Sequence, residues 1–306
     1  MTTTGARDAL IVGTGAMACL FAARLAASGV RVTMLGTWPE GLAALQAHGV
    51  RLVESDGSER SYPVHATSDP AACAGAHYAL VLVKSWQTER AAGQLAGCLH
   101  HAGLALTLQN GLGNRERLVE TLGARRVALG VTTTGATLLG PGVARTGGDG
   151  AISLGARPGL DPLAAMLQRA GFAVENVPDA ESLLWSKLAV NAAINPLTAL
   201  LRVPNGDLLT HSGTRTLMAE VARETAAVAN ALGIDLVYSD PVVAAEDVAR
   251  RTALNRSSML QDVLRGGATE IDAVCGAIVE AGERCHVPTP INRTLWLLVK
   301  SLETRG

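Results

Sequence analysis

The feature that most constrains the fold is a glycine-containing turn between an apolar run and a helical segment near the start of the chain. Residues 9–12 are typical of a buried strand, and residues 19–29 are typical of a helix. Between them lies Gly13-Thr14-Gly15-Ala16-Met17-Ala18, the dinucleotide-binding pattern Gly-x-Gly-x-x-Gly with alanine in its third position. Gly13 permits a tight turn, and Gly15 lets the backbone and the helix N-terminus approach a pyrophosphate. The segment predicts a Rossmann-type unit whose six turn residues contact a dinucleotide.

The end of the next strand bears on which nicotinamide cofactor is bound. Residues 30–35 form a second strand-like run, and Thr37 follows it with no carboxylate before Glu40. A carboxylate at this place would bond the ribose hydroxyls of NAD and repel the 2′-phosphate of NADP. Its absence predicts NADP as the cofactor, with Thr37 contacting the phosphate. The predicted preference is modest, because no arginine stands there either.

The distribution of strand-like and helical segments divides the chain into two parts. Further strand-like runs occur among Ala-rich helical stretches, at residues 78–83, 104–108, 126–131 and 151–154. From about Pro178 onward the strand pattern stops and long helical segments follow. We therefore predict an α/β chain with a Rossmann-type, doubly wound parallel sheet in residues 1–177 and an all-helical, substrate-binding domain in residues 178–306.

A row of polar side chains lies at the start of the helical half. Lys187, Asn191 and Asn195 recur every fourth residue through an otherwise apolar run, so on a helix they share one face. Burying such groups without polar partners costs several kcal/mol each. The row therefore predicts a helix that lines a ligand-binding cleft between the domains. The alternative is a structural lysine that pairs with a buried carboxylate.

Other polar residues follow strands or begin helices. Lys84 directly follows the predicted strand at residues 78–83, and Asn110 lies two residues after the one at residues 104–108. Ligands of open α/β sheets bind at such strand ends. Ser257-Ser258 and Thr269-Glu270 lie in the helical half. Taken locally, each also has an ordinary explanation: a surface cation, an Asn-Gly turn, and residues that begin helices.

Together these segments make the chain similar to the ketopantoate reductases (2-dehydropantoate 2-reductases) over nearly its whole length. The resemblance is carried by Gly13-Thr14-Gly15, residues 84–87, 110–113, 185–191, 194–199 and 204–206, residues 257–262, and Thr269-Glu270-Ile271-Asp272. It implies an architecture similar to that of 6-phosphogluconate dehydrogenase. It also implies NADPH-dependent reduction of ketopantoate to pantoate, a step of pantothenate and coenzyme A biosynthesis.

The resemblance assigns roles to individual residues. Lys187 is implied to be the general acid, which donates a proton to the ketone oxygen as hydride arrives. The residues implied to bind the 2-oxo acid substrate are Asn110, Lys187, Asn191, Asn195, Asn205, Ser257 and Ser258. Those implied to lie at the cofactor, besides the glycine turn and Thr37, are Lys84, Asn110, Thr137 and Glu270.

Composition narrows the class of protein. The 306 residues are 48% hydrophobic and 17% charged, which argues against disorder, and a net charge of -1 predicts neither nucleic acid nor a membrane surface as a partner. The five cysteines are scattered and the seven histidines are not paired with carboxylates, so we expect no metal site. We expect a cytoplasmic protein without a secretory signal, and a homodimer is a form of assembly that the sequence leaves open.

Three alternative functions stay open at this point. A reductase of another 2-oxo acid would share most of these residues. A β-hydroxyacid dehydrogenase would account for Lys187 and Asn191, although not for Asn195, Ser258 and Glu270 together. A non-catalytic NADP-binding regulator is the third, and the presence of Lys187 and Glu270 argues against it.

Overall fold

The computed structural model describes residues 8–148 and 150–303. The chain divides into two compact units. The first extends to Gln109 and resumes from Asn114 to Ala180, and the second contains Asn110–Gly113 and continues from Glu181. The domain boundary after residue 177 stays a prediction. The sequence pattern did not separate Asn110–Gly113 from its surroundings.

The first unit is built from alternating strands and helices. Its strands are β1 (Asp8–Val12), β2 (Arg31–Leu35), β3 (Val50–Val53), β4 (Glu59–Tyr62), β5 (His65–Thr67), β6 (Ala76–Val81), β7 (Leu99–Thr107), β8 (Val127–Thr132), β9 (Ala136–Gly140), β10 (Val143–Thr146), β11 (Ala151–Gly155) and β12 (Ala173–Val177). Its helices are α1 (Ala16–Ala27), α2 (Pro39–His48), α3 (Thr88–Cys98), α4 (Asn114–Leu122) and α5 (Asp161–Arg169).

In the described ranges, the main sheet has eight strands in the order β12-β11-β8-β7-β6-β1-β2-β5. Its central strands are apolar on both faces because helices cover both: α1 and α5 join the core on one face, and α3 and α4 join the core on the other. The predicted α/β fold with a parallel sheet is confirmed. One pair needs correction, since β11 lies antiparallel to β8. The chain reaches β11 through β9 and β10, without the crossover helix that a parallel neighbour requires.

A second sheet, which the sequence analysis did not predict, covers α1. It has the order β4-β3-β10-β9, and Val50, Leu52 and Ala144 are buried in the same core as α1. Its strands have four or five residues each, and β4 is mostly exposed. Short strands without an apolar run leave little periodicity in the sequence.

The second unit is helical in the part of it that the structure describes, as predicted. Its helices are α6 (Ala180–Leu201), which begins at the last residue of the first unit, α7 (Ser212–Ala231), α8 (Pro241–Arg251), α9 (Ser258–Leu264), α10 (Ala277–Cys285) and α11 (Pro290–Glu303). A π-helical turn, Asp272–Gly276, precedes α10. The core is formed largely by α6, α7, the π-helical turn and α10. Among the described helices, none has the length and apolar composition needed to cross a membrane.

Candidate active site

The turn between β1 and α1 has the geometry that its glycines predict. Gly13 has a φ of +129°, and a Cβ there would lie 2.9 Å from the carbonyl oxygen of Leu82, so a larger residue would be strained. Gly15 precedes α1, and a Cβ at Gly15 would meet nothing within 4 Å. Ala18, in place of the third glycine, is fully buried. The turn therefore leaves an open backbone surface at a helix N-terminus, which fits a pyrophosphate.

The end of β2 lies beside this turn. Thr37 is exposed, and its neighbour Gly36 packs so closely on Thr14 that a Cβ at Gly36 would be 2.5 Å from Thr14 Cγ2. Glu40 is exposed in the first turn of α2. The side chain that directly follows β2 is thus a neutral hydroxyl, which can donate to a phosphate but supplies no fixed charge.

A buried amide joins the carboxyl ends of β6 and β7. Gln109 Nε2 donates to the Val83 carbonyl at 2.9 Å and to Thr88 Oγ1 at 2.8 Å. Lys84, which is half-buried, directly follows Val83, and Asn110 directly follows Gln109. Gln109 therefore connects the ends of β6 and β7, where the segments that begin with Lys84 and Asn110 follow. Sequence reasoning missed this role, although a polar residue directly after an apolar strand was a visible signal.

The segment Asn110–Gly113 is attached to the π-helical turn. Leu112 N donates to the Ala273 carbonyl at 2.9 Å. Gly111 has a φ of +79°, and a Cβ there would lie 2.4 Å from the same oxygen. Gly111 is therefore required both for its backbone conformation and for this close approach. Asn110 is half-buried, and the attachment fixes its main chain within the second unit.

The predicted polar row lies on α6. From Trp185 to Ala199 every residue is buried except Lys187, Asn191 and Asn195, which are half-buried. The period of four in the sequence is therefore also the period of solvent access along the helix. This face can present one cation and two amides to a ligand.

The surroundings of Lys187 shift its pKa. The pKa of Lys187 is lowered from 10.5 to about 8, because burial lowers it more than the charge of Glu270 raises it. Glu270 itself is buried, at 8% exposed. A lysine with a pKa of about 8 is still largely protonated at neutral pH, yet it is a stronger acid than an exposed lysine.

Asn205 has a buried acceptor without a partner. Its Nδ2 donates to Thr252 Oγ1 at 2.9 Å, and Thr252 Oγ1 itself donates to the Val248 carbonyl at 2.7 Å. This fixes the orientation of the amide, because Thr252 has no proton left to donate. Among the described residues, Asn205 Oδ1 then has no hydrogen-bond partner. A buried carbonyl oxygen of this kind can accept a hydrogen bond from a ligand hydroxyl.

The two adjacent serines have different surroundings. Ser257 is buried and caps α9, because its Oγ accepts from Leu260 N at 3.1 Å. Its Oγ also lies 2.7 Å from Thr198 Oγ1, which donates to the Asn195 carbonyl, so Ser257 is the donor in that pair. Ser258 is exposed at the first position of α9. The structure thus gives Ser257 a role in connecting α9 to the Asn195 turn of α6, and substrate binding by either serine stays a prediction.

Thr137 lies in the small sheet and not in the main sheet. It is half-buried in β9 of the small sheet and pairs with Arg145 of β10. Its predicted place at the nicotinamide pocket stays a prediction. Within residues 8–148 and 150–303, no group of three His, Cys, Asp or Glu side chains could hold a metal ion.

Comparison with known proteins gives matches over both units. A family model described as "Ketopantoate reductase PanE/ApbA" matches residues 9–159, and one described as "Ketopantoate reductase PanE/ApbA C terminal" matches residues 179–303. The chain is 35% identical to the 2-dehydropantoate 2-reductase of Halobacterium salinarum, covering 97% of this chain and 99% of that protein. It is 36% identical to the one of Archaeoglobus fulgidus, covering 96% and 97%.

Solved structures show the same similarity. A ketopantoate reductase of the PanE/ApbA family from Ralstonia eutropha has a TM-score of 0.91 and 34% identity, covering 97% of this chain and 99% of that one. A D-mandelate dehydrogenase, in a ternary structure with NADH and anilino(oxo)acetate, has a TM-score of 0.92 and 25% identity with the same coverage.

Proposed function

Because the chain belongs to the ketopantoate reductase family, a family of NAD(P)-dependent oxidoreductases, we propose that it reduces ketopantoate to pantoate with NADPH, a step of pantothenate biosynthesis. The proposal depends mainly on one observation: Lys187 has a pKa of about 8 and lies on a half-buried helix face together with Asn191 and Asn195. A ketone reduction needs one proton donor placed among neutral polar groups, and this face provides it.

Reduction of the ketone requires a hydride and a proton. Reduced nicotinamide, when bound, supplies the hydride. Lys187 donates the proton to the ketone oxygen, and before that its positive charge stabilises the negative charge that develops there. Glu270 limits the effect of burial on Lys187, so that the lysine stays protonated at neutral pH.

Neutral side chains would hold the rest of the substrate. Asn205 Oδ1 accepts a hydrogen bond from the 4-hydroxyl of ketopantoate, which satisfies its otherwise unpaired buried oxygen. Asn191, Asn195 and Ser258 donate to the substrate carboxylate, while Ser257 supports them through its contacts with Thr198 and Leu260.

The first unit would hold most of the cofactor. The open turn before α1 receives the pyrophosphate, and Thr37 receives the 2′-phosphate of NADPH. The remaining proposed contacts come from Lys84, Asn110, Thr137 and Glu270. Since Thr37 carries no charge, the proposed preference for NADPH over NADH is modest.

We also propose a cellular location and a form of assembly for the protein. The five cysteines are free thiols, which agrees with a reducing compartment, and we place the protein in the cytoplasm. We propose a homodimer as its form of assembly.

A second candidate is a reductase of a bulkier 2-oxo acid. It is favoured by the similarity to D-mandelate dehydrogenase over 97% of this chain. The deciding experiment is a steady-state assay of the purified protein with ketopantoate and with phenylglyoxylate, the 2-oxo acid that corresponds to mandelate, each with NADPH and with NADH. Faster reduction of phenylglyoxylate than of ketopantoate would replace the first proposal by the second. No turnover of any 2-oxo acid, with intact NADPH binding, would favour a regulator.

A further inference from the structure

The last residue of α11 holds the main chain on both sides of Glu270. Glu303 Oε1 accepts from Thr269 N at 2.7 Å and from Thr269 Oγ1 at 2.6 Å. Thr269 Oγ1 in turn accepts from Ile271 N at 3.2 Å. Thr269 is buried, at 4% exposed, so these bonds are shielded from water. One carboxylate from the C-terminal helix thereby fixes the residues that flank Glu270.

A second set of contacts from α11 holds the π-helical turn that follows. Trp296 Nε1 donates to Asp272 Oδ1 at 2.7 Å, and Lys300 Nζ lies 3.0 Å from Asp272 Oδ2 and 2.9 Å from Glu303 Oε2. A Cβ on Gly276 would lie 3.2 Å from the Trp296 ring, so α11 packs directly on this turn. Lys300 thus bridges two carboxylates: that of Glu303, which binds Thr269, and that of Asp272, which follows Glu270 in the chain by two residues.

We propose that Glu303 is a positioning residue for the reductase reaction: by binding Thr269, it keeps the Glu270 carboxylate in place to act on the Lys187 ammonium. This inference rests on the proposed function, and it adds to it a residue of α11 that the sequence motifs do not include. Three residues of α11 hold the segment, namely Trp296, Lys300 and Glu303.

The charges of this network agree with such a role. Burial raises the pKa of Glu303, but the hydrogen bonds from Thr269 and the contact with Lys300 outweigh it, so the net pKa is lowered. Glu303 is therefore a carboxylate at neutral pH, and charge-assisted hydrogen bonds to it are stronger than neutral ones. The charged groups facing it are Lys300 from its own helix and, through Lys300, Asp272 from the π-helical turn.

Loss of this carboxylate has a specific consequence for the acid. If the segment at Glu270 loosens, its charge acts less on Lys187, while burial still lowers the lysine pKa. The pKa of Lys187 then falls below its parental value of about 8, and less of the enzyme carries the proton. A merely structural role for Glu303 would lower the melting temperature without moving the Lys187 pKa.

The test compares Glu303→Gln and Thr269→Val with the parent protein. For both variants we expect kcat for ketopantoate to fall about 10-fold, within the loss of up to about 10²-fold that small misplacements cause, and activity to decline at a lower pH. Thr269→Ser keeps the hydroxyl and should remain close to the parent. Glu280→Gln is the matched control, because it removes a carboxylate that is exposed and 3.9 Å from Arg284 on α10.

A second measurement does not depend on activity. The chain contains three lysines, Lys84, Lys187 and Lys300, so NMR titration of protein with ¹³C-labelled lysine gives few signals. The Lys187 signal is assigned as the one that is absent from the Lys187→Arg variant. We expect the Lys187 midpoint to fall in Glu303→Gln and Thr269→Val, and to stay parental in Glu280→Gln.

The outcomes separate this inference from the proposed function. A parental Lys187 midpoint in a folded Glu303→Gln protein, even one that melts early, overturns the positioning role. If that variant does not fold, the midpoint in Thr269→Val decides in the same way. If the parent protein does not reduce ketopantoate, the proposed function fails, while the Lys187 titration still tests the effect of Glu303.

Discussion

Glu270 and burial act on Lys187 in opposite directions. Burial lowers the pKa of the lysine and the Glu270 charge raises it, and the net result is a decrease from 10.5 to about 8. The two residues lie far apart in the sequence, on α6 and just before the π-helical turn. Their balance produces a cation that can release its proton near neutral pH, which is the property that the proposed general acid needs.

Removing the Lys187 side chain should separate chemistry from cofactor binding. We expect Lys187→Ala to lower kcat about 10²–10⁴-fold, the range for losing a general acid or an oxyanion donor. The NADPH dissociation constant, measured by fluorescence titration, should stay close to the parental value, since Gly13 and Gly15 lie in the other unit. If Lys187 is a structural cation instead, the variant should lose about 3–5 kcal/mol of stability and, where folded, keep near-parental kcat.

The pH dependence of the reaction should report the Lys187 pKa. If Lys187 is the general acid, as we propose, its protonated form is the active one, and kcat/KM for ketopantoate should decline as pH rises through about 8. Glu270→Gln removes the charge that raises this pKa, and the decline should therefore move to lower pH. A profile that is flat to well above pH 8 in the parent, or a shift to higher pH in Glu270→Gln, would contradict this assignment.

Asn205 should recognise the hydroxyl of ketopantoate. Asn205→Ala removes the buried acceptor, and we expect KM for ketopantoate to rise about 10-fold, as for loss of one hydrogen bond of about 1.4 kcal/mol. The matched substrate is 3,3-dimethyl-2-oxobutanoate, which lacks the 4-hydroxyl and should be affected much less. An equal rise in KM for both substrates would mean that Asn205 acts through the local structure around Thr252.

The cofactor preference should depend on the end of β2. We expect tighter binding of NADPH than of NADH by a modest margin, because Thr37 neither repels the 2′-phosphate nor attracts it with a fixed charge. Thr37→Arg should widen the margin, since a guanidinium can bind a phosphate with two hydrogen bonds. Dissociation constants for the two cofactors, measured on both proteins, check this, and equal values in the parent would contradict it.

The sequence by itself was sufficient for features that depend on near neighbours in the chain. The turn from Gly13 to Ala18 and the row of Lys187, Asn191 and Asn195 follow from the geometry of one turn and one helix, and the structure shows both where they were predicted. The alternation of strands and helices, and its end near residue 178, likewise reflect local periodicity.

Only the tertiary structure decided the features that join distant segments. The antiparallel β11, the small sheet on α1, the attachment of Gly111 to Ala273 and the bonds from Glu303 to Thr269 all depend on where the backbone returns in space. The same holds for the unpaired oxygen of Asn205, because Thr252 donates its only hydroxyl proton to the Val248 carbonyl and not to that oxygen. Hydrogen-bond partners and burial of this kind are properties of packing, and no pattern of neighbouring residues encodes them.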